Sequence, residues 1–226
     1  MTTSDDRTAI RRSALESVHA ALGAQWMAPD VHYPAAYLAG AAGAPSTVEP
    51  PVGLAEIGPR EVASLGGAAL RQALAAAGLP FVLGRVSTAG ALEVWGVAPD
   101  EALLTWASAA PGASAVDPRP ALRRHGAAVT DVGAGLVQLR LRGPRLAGLL
   151  QELCPVDLSD RALSDGGIVQ APFAGVRVTL ARQDRGGAAA VTLLAPRDLA
   201  EYLWEVITDA GAHHGLRPVV DAGAGS

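Results

Sequence analysis

A chain of 226 residues, half of them apolar, has material for one large domain or two small ones with a substantial core, and its single cysteine, Cys154, excludes an intramolecular disulfide and a cysteine-based metal cluster. A formal net charge of −4 argues against a nucleic-acid partner, which would need clustered Lys and Arg to displace phosphate counterions. Met1 to Arg12 is polar and mixed in charge, unlike a secretory signal, and no apolar run approaches the roughly 20 residues needed to cross a bilayer, so the expectation is a cytoplasmic protein with no membrane association.

In chain order, residues 13–23 (SALESVHAALG) carry apolar residues at helical spacing behind Ser13, with Glu16 three positions on in the capping-box pattern. That predicts a short helix ending at Gly23. From Gln25 to Pro51 the density of Pro, Gly and Ala among scattered aromatics predicts an irregular covering segment, and the Gly-rich AGAAGAP at 39–45 lacks the ending of a phosphate cradle. Residues 54–78 read as strand, glycine turn and apolar helix. Their counterpart is 129–154: Glu56-Ile57-Gly58 answers Asp131-Val132-Gly133, and Gly67 answers Gly143.

The repeat continues with VAPDEALLTW (97–106) and LAPRDLAEYLW (194–204), each read as a strand closing on Ala-Pro with a helix starting at the proline. Each half then reads β-α-β-β-α, over about 52–109 and 128–211, joined through the Pro- and Gly-rich stretch 109–120. In the strand around Leu139, Val137, Leu139 and Leu141 share one face and Gln138, Arg140 and Arg142 the other. Halves of some 80 residues bury little surface alone, so one fused α+β domain over 1–226 is expected, with 221–226 as a disordered tail.

Arg123, Arg124 and His125 read as a solvated turn. His213-His214 reads as a pair at a helix end rather than a metal site, because adjacent side chains point apart and no carboxylate stands at ligand spacing. Cys154 reads as a small buried hydrophobe with no histidine nearby to activate it. Neither a catalytic residue nor a metal ligand is predicted.

The segments HAALGAQWMAPDVHYP (19–34) and VGLAEIGPREVASLGG (52–67) resemble the opening of glycine-cleavage aminomethyltransferases, and residues 140–183 with 191–211 resemble the gamma subunit of heterotetrameric sarcosine oxidase. The resemblance implies two ferredoxin-like halves around a central folate channel, without the C-terminal β-barrel of the full transferases. It also implies tetrahydrofolate as the cofactor and a larger folate- and flavin-carrying oxidase subunit as the partner. The positions it places near a cofactor are Tyr33, Arg182 and Thr192. For Tyr33 and its neighbour His32 packing is the ordinary role, and for Arg182 a structural or surface role.

Two departures bear on chemistry. Where active members of the family carry a paired aspartate on a first-half strand, TAGALEVWGV (88–97) has no aspartate and only Glu93. Where they hold the pterin with a glutamate, this chain has Ala190-Val191-Thr192, and a hydroxyl cannot replace a bidentate carboxylate. The resemblance therefore implies a non-catalytic gamma-like subunit of a complex acting in oxidative demethylation of N-methyl amino acids, with a stand-alone folate-dependent one-carbon transferase with a rebuilt site as the alternative.

Overall fold

Period-two alternation of apolar side chains recurs in several segments of this chain, and the product is a mixed α+β fold in which sheet outweighs helix. The computed structural model describes residues 11–37, 50–107, 117–159, 161–184 and 187–221. The stretch 39–45, most of the 109–120 connection and the tail beyond Asp221 lie outside them.

The N-terminal part is β1 (Arg11–Arg12), α1 (Glu16–Ala21), β2 (Ala24–Ala28) and β3 (Val31–Tyr37), the strands forming a small sheet in the order β1-β3-β2. Next come β4 (Val52–Glu56), β5 (Arg60–Gly66), α2 (Leu70–Ala76), β6 (Val86–Ala89), β7 (Leu92–Ala98), β8 (Glu101–Ala107) and α3 (Arg119–Arg124). They are followed by β9 (Ala128–Asp131), β10 (Leu136–Arg142), α4 (Leu146–Leu153), β11 (Ile168–Phe173), β12 (Val176–Arg182), β13 (Ala190–Pro196), α5 (Ala200–Gly211) and β14 (Leu216–Pro218).

Two large sheets result, one ordered β6-β7-β8-β5-β9 and the other β11-β12-β13-β10-β4-β14. The first strand of each run crosses over: β4 pairs with β10, setting Glu56 opposite Leu139, and β9 pairs with β5, setting Asp131 opposite Ala63. The turn after β5 holds Gly67 at φ +102°, and the turn after β10 holds Gly143 at φ +131°. Backbone of that hand strains an L side chain, so glycine is the residue that lets each strand fold straight back into its helix.

Each sheet has one face covered by its own helices. Leu146, Leu149, Leu150 and Leu153 of α4, with Leu203, Trp204 and Ile207 of α5, bury against Val137, Leu139 and Leu141 of β10 and Leu193 of β13. Leu70, Ala73 and Leu74 of α2 and Leu122 of α3 do the same against Leu65, Val94 and Leu104. A fully buried leucine is worth about 1.5–3 kcal/mol relative to exposure, so these layers carry most of the driving force. The opposite faces meet at a small seam of Trp95, Ala181 and Leu194, with Val86, Leu103 and Ile168 packed around it. Gln138 and Arg140 on the polar face of β10 are only 6% and 4% exposed, so that face points into the protein.

Several sequence expectations are corrected. Ser13 is not the N-cap of α1: the helix begins at Glu16 with no side-chain cap, and the Ser13 hydroxyl accepts from the Leu15 amide at 2.8 Å while donating to the Glu56 carboxylate. Of the segment expected to be irregular, residues 25–37 are not, because β2 and β3 form an antiparallel hairpin whose alternating pattern was obscured by Pro34 and by register shifts at Trp26, and residues 38–49 lie outside the described ones. Residues 101–107 are strand, not helix: Ala102, Leu104 and Trp106 bury on one face at period two, while the helix in the matching place after β13 is α5. Each run therefore holds two strands before its first helix and three after it, more than β-α-β-β-α allows. Asp221 is not tail, since its carboxylate pairs with Arg140 at 2.7 Å.

Candidate functional site

The inner faces of the two sheets, with Met27 and Ala35 of the β2–β3 hairpin, border a partly open cavity of 840 Å³ with mixed polar and apolar walls, within the range of small-molecule sites. Its wall includes Arg60 at the start of β5, Thr88 and Glu93 around the β6–β7 turn, Arg140 of β10, Gln183 and Asp184 just past β12, Asp165 before β11, and Asp221 after β14. The β-alternation that points Leu139 and Leu141 at the helices points Arg140 at this space.

Glu93 organises one side. Its carboxylate accepts from Thr105 Oγ1 at 3.1 Å, from Trp95 Nε1 at 3.4 Å and, across the cavity, from Gln183 Nε2 at 3.3 Å. Arg60 stands 3.5 Å away and also donates to Thr105 at 3.0 Å. The opposite side is likewise paired: Arg140 with Asp221 at 2.7 Å, and Asp184 with Arg182 through two parallel bonds of 2.9 and 3.0 Å. Asp165 accepts from the Asp184 amide at 2.9 Å. The four carboxylates on the wall thus all have protein partners, and none is presented as a free base.

Two wall groups are incompletely used. Among the described residues, Arg60 Nε and Gln183 Oε1 are buried polar atoms with no hydrogen-bond partner, as is Gln138 Nε2 nearby. A buried donor or acceptor left unmade costs about 1–3 kcal/mol, so a donor and an acceptor in this condition on the two sides of Glu93 mark where a polar ligand gains most.

The three positions expected near a cofactor lie just behind this wall. Tyr33 packs its ring on Gly58, where an added Cβ would stand 1.9 Å from Tyr33 Cε1, and it borders a separate 20 Å³ pocket with Glu56 and Gln138. Arg182, 6% exposed, is spent on Asp184. Thr192, 2% exposed, accepts from Arg140 Nε at 3.3 Å. His32 belongs to the hairpin: it bonds Glu16 at 2.8 Å, which with Arg12 holds the Glu16 carboxyl below its ordinary value, and stacks on Trp26 at 5.5 Å.

Arg60, Gln183 and Asp184 were missed in the sequence because they sit at strand ends, where periodicity carries no signal. Glu93 was noticed there and assigned no role. Arg123, Arg124 and His125 are exposed at the end of α3, as expected of a solvated turn, and Cys154 is buried and free. His213 and His214 lie on the turn that follows α5, at the helix end, but their side chains do not point apart: the rings lie 4.1 Å from one another and both bond to Oε1 of Glu152.

A second buried polar cluster lies away from the cavity. Glu56, 5% exposed, accepts from Ser13 Oγ, from the Ala14 amide at 3.3 Å and from His19 Nε2 at 2.8 Å, and His19 Nδ1 lies 3.0 Å from the Tyr37 hydroxyl. It fastens α1 and β3 to the end of β4.

A helix-backed two-sheet fold with a cavity of mixed polarity beside the sheets defines the class, and comparison with known proteins supplies the family. Residues 93–223, more than half of the chain, match the GCVT N-terminal domain, and the chain belongs to that family. Aminomethyltransferases of Chlorobium phaeovibrioides and Desulforamulus reducens are 37% identical over 81 residues and 34% over 94, covering 36% and 42% of this chain. The matched stretches span only 22% and 25% of those relatives.

Among solved structures, a chain of the heterotetrameric sarcosine oxidase from Corynebacterium sp. U-96, in complex with pyrrole 2-carboxylate, superposes with TM-score 0.67 at 25% identity. The match covers 91% of this chain and 96% of that one. The glycine cleavage system aminomethyltransferase T from Bartonella henselae superposes with TM-score 0.69 at 16% identity, over 93% of this chain and 60% of that one, a likeness of fold. No helix among the described residues is long and apolar enough to cross a membrane.

Proposed function

We propose that this protein is a non-catalytic, gamma-like subunit of a sarcosine-oxidase-type complex acting in oxidative demethylation of N-methyl amino acids, working in the cytoplasm as one fused domain of two duplicated halves. The observation that carries this reading is the end-to-end correspondence with one chain of the Corynebacterium oxidase, 91% of this chain against 96% of that one. The site agrees with it. A catalytic carboxylate must be free to take or give a proton, and the carboxylates of this cavity are held by Arg60, Arg140, Arg182 and backbone amides.

The partner in this reading is a larger subunit carrying folate and flavin. Tagging the native chain in its own cells tests it: recovery in a flavin-bearing complex that oxidises sarcosine is expected. A monomer by light scattering with no flavoprotein attached would remove the proposal.

A second reading, a tetrahydrofolate-dependent one-carbon transferase with a rebuilt site, is favoured by Arg60 Nε and Gln183 Oε1. They are one unpaired donor and one unpaired acceptor at a cavity large enough for a pteridine. These two groups would hold the cofactor, which when bound supplies the one-carbon carrier. Tyr33, Arg182 and Thr192 would act from behind the wall, through Gly58, Asp184 and Arg140 respectively. Calorimetric titration with tetrahydrofolate decides: saturable heat that Gln183→Ala weakens supports this reading, and no heat with no thermal shift discards it.

A further inference from the structure

Adjacent residues on a short helical turn usually direct their side chains apart, yet His213 and His214 converge on one atom. His213 Nε2 lies 3.0 Å and His214 Nε2 2.8 Å from Glu152 Oε1, and the three candidate ligand atoms fall within 4.8 Å of one another. The turn that carries them, residues 212–214, ends at Gly215 and is followed by β14. Glu152 comes from α4, far away in sequence.

Helix α4 is shaped to receive the second ring. Gly148 stands four residues before Glu152, on the same helix face, and a Cβ at Gly148 would stand 2.8 Å from His214 Cε1 and 3.3 Å from Nδ1. Glycine inside a helix is unfavourable relative to alanine, and here the missing methyl is the space the imidazole fills. His214 is accordingly only 15% exposed, whereas His213 and Glu152 reach solvent.

We propose that Glu152, His213 and His214 form a binding site for one borderline divalent cation of the zinc class. Two imidazole nitrogens and one carboxylate oxygen are the donor set that zinc, cobalt and nickel prefer, while magnesium and calcium select oxygen. Bonds of about 2.0–2.1 Å to a shared ion set neighbouring donor atoms roughly 3.0–3.4 Å apart, close to the separations already present between each Nε2 and Oε1. Small side-chain rotations bring the two nitrogens together, each ring binds as a neutral imidazole with Nε2 bare and its one proton on Nδ1, a doubly protonated ring first giving a proton to water, and water completes the shell on the exposed side. The bound ion ties α4 to the segment that leads into β14, and so steadies the strand from which Val220 and Asp221 reach the central cavity.

The test uses the full-length chain without a polyhistidine tag, freed of metal by chelator and titrated with Zn²⁺ in a calorimeter, with Co²⁺ absorption as a second readout. One Zn²⁺ per chain is expected, with a melting temperature that rises with Zn²⁺ concentration. His213→Ala, His214→Ala and Glu152→Gln should each weaken binding by roughly tenfold or more, and Gly148→Ala should weaken it by displacing the His214 ring. His213 is exposed, so its variant separates lost binding from lost folding, and circular dichroism checks the others. No saturable Zn²⁺ binding at about 1 mM, affinity unchanged in these variants, or preference for Mg²⁺ over Zn²⁺ would each overturn the proposal.

Discussion

Two interior carboxylates do different things: Glu56 is buried, its side chain 2% exposed, and Glu93 is half-buried at 13% on the cavity wall. Glu56 belongs to a closed set: Ser13, the Ala14 amide, His19 and Tyr37 all find partners, and the set joins the N-terminal hairpin to β4. Glu93 belongs to an open one. Its neighbours Arg60 and Gln183 each keep an atom unsatisfied, and they border a cavity of 840 Å³. The lesson is that satisfaction together with access separates a fastening from a site, because a closed, buried network gains nothing from a ligand and a partly open one on a cavity wall does.

The comparison can be broken most severely at the seam that holds the cavity walls together. Trp95 is fully buried between the sheets, and Trp95→Ala should cost about 3–5 kcal/mol in denaturant unfolding. A loss under ~1 kcal/mol would show that the inner faces are not packed as described.

At the closed cluster, Glu56→Ala strands His19 and Ser13 in the interior and should cost about 3 kcal/mol. Protease sensitivity between residues 13 and 37 should rise with it; a variant as stable and as resistant as the native chain would dissolve the distinction drawn above. Glu93→Gln should be milder, about 1–2 kcal/mol, because Arg60 stays within reach of Thr105 and of solvent in the cavity.

The smallest effect sharpens the comparison through pH. Burial first, and the Glu56 charge second, raise the Tyr37 pKa above its ordinary 10.0, so the folded protein holds that proton more tightly than the unfolded chain. Stability from this group is complete below about pH 10 and is lost as pH rises above it, since the folded state there binds more protons. Tyr37→Phe should cost about 1 kcal/mol at neutral pH and flatten the alkaline fall. An equally steep fall in the variant would place the alkaline sensitivity elsewhere.

Much of the framework was legible in the residues. Alternation in 137–142 assigned both faces of β10, Gly67 and Gly143 each marked a turn from strand to helix, and the apolar helix expected within 129–154 is α4. Reading failed where two patterns compete. EALLTWA follows Ala-Pro as a helix start does, but Leu104 and Trp106 had a sheet face to fill. Ser13 and Glu16 carry the letters of a capping box, but Ser13 stands two residues before the cap position, where its hydroxyl takes the Leu15 amide and donates to a buried carboxylate 43 residues away.

The sequence by itself determined composition, family resemblance and which face of each strand is apolar, because those are local or additive properties of side chains. Only the tertiary structure decided that Arg140 points inward to meet Asp221, that Gln183 reaches Glu93, and that His213 and His214 close on Glu152. Each of these joins residues roughly 60–90 positions apart, and chain separation sets no distance until the strands have crossed over and the sheets have closed on one another.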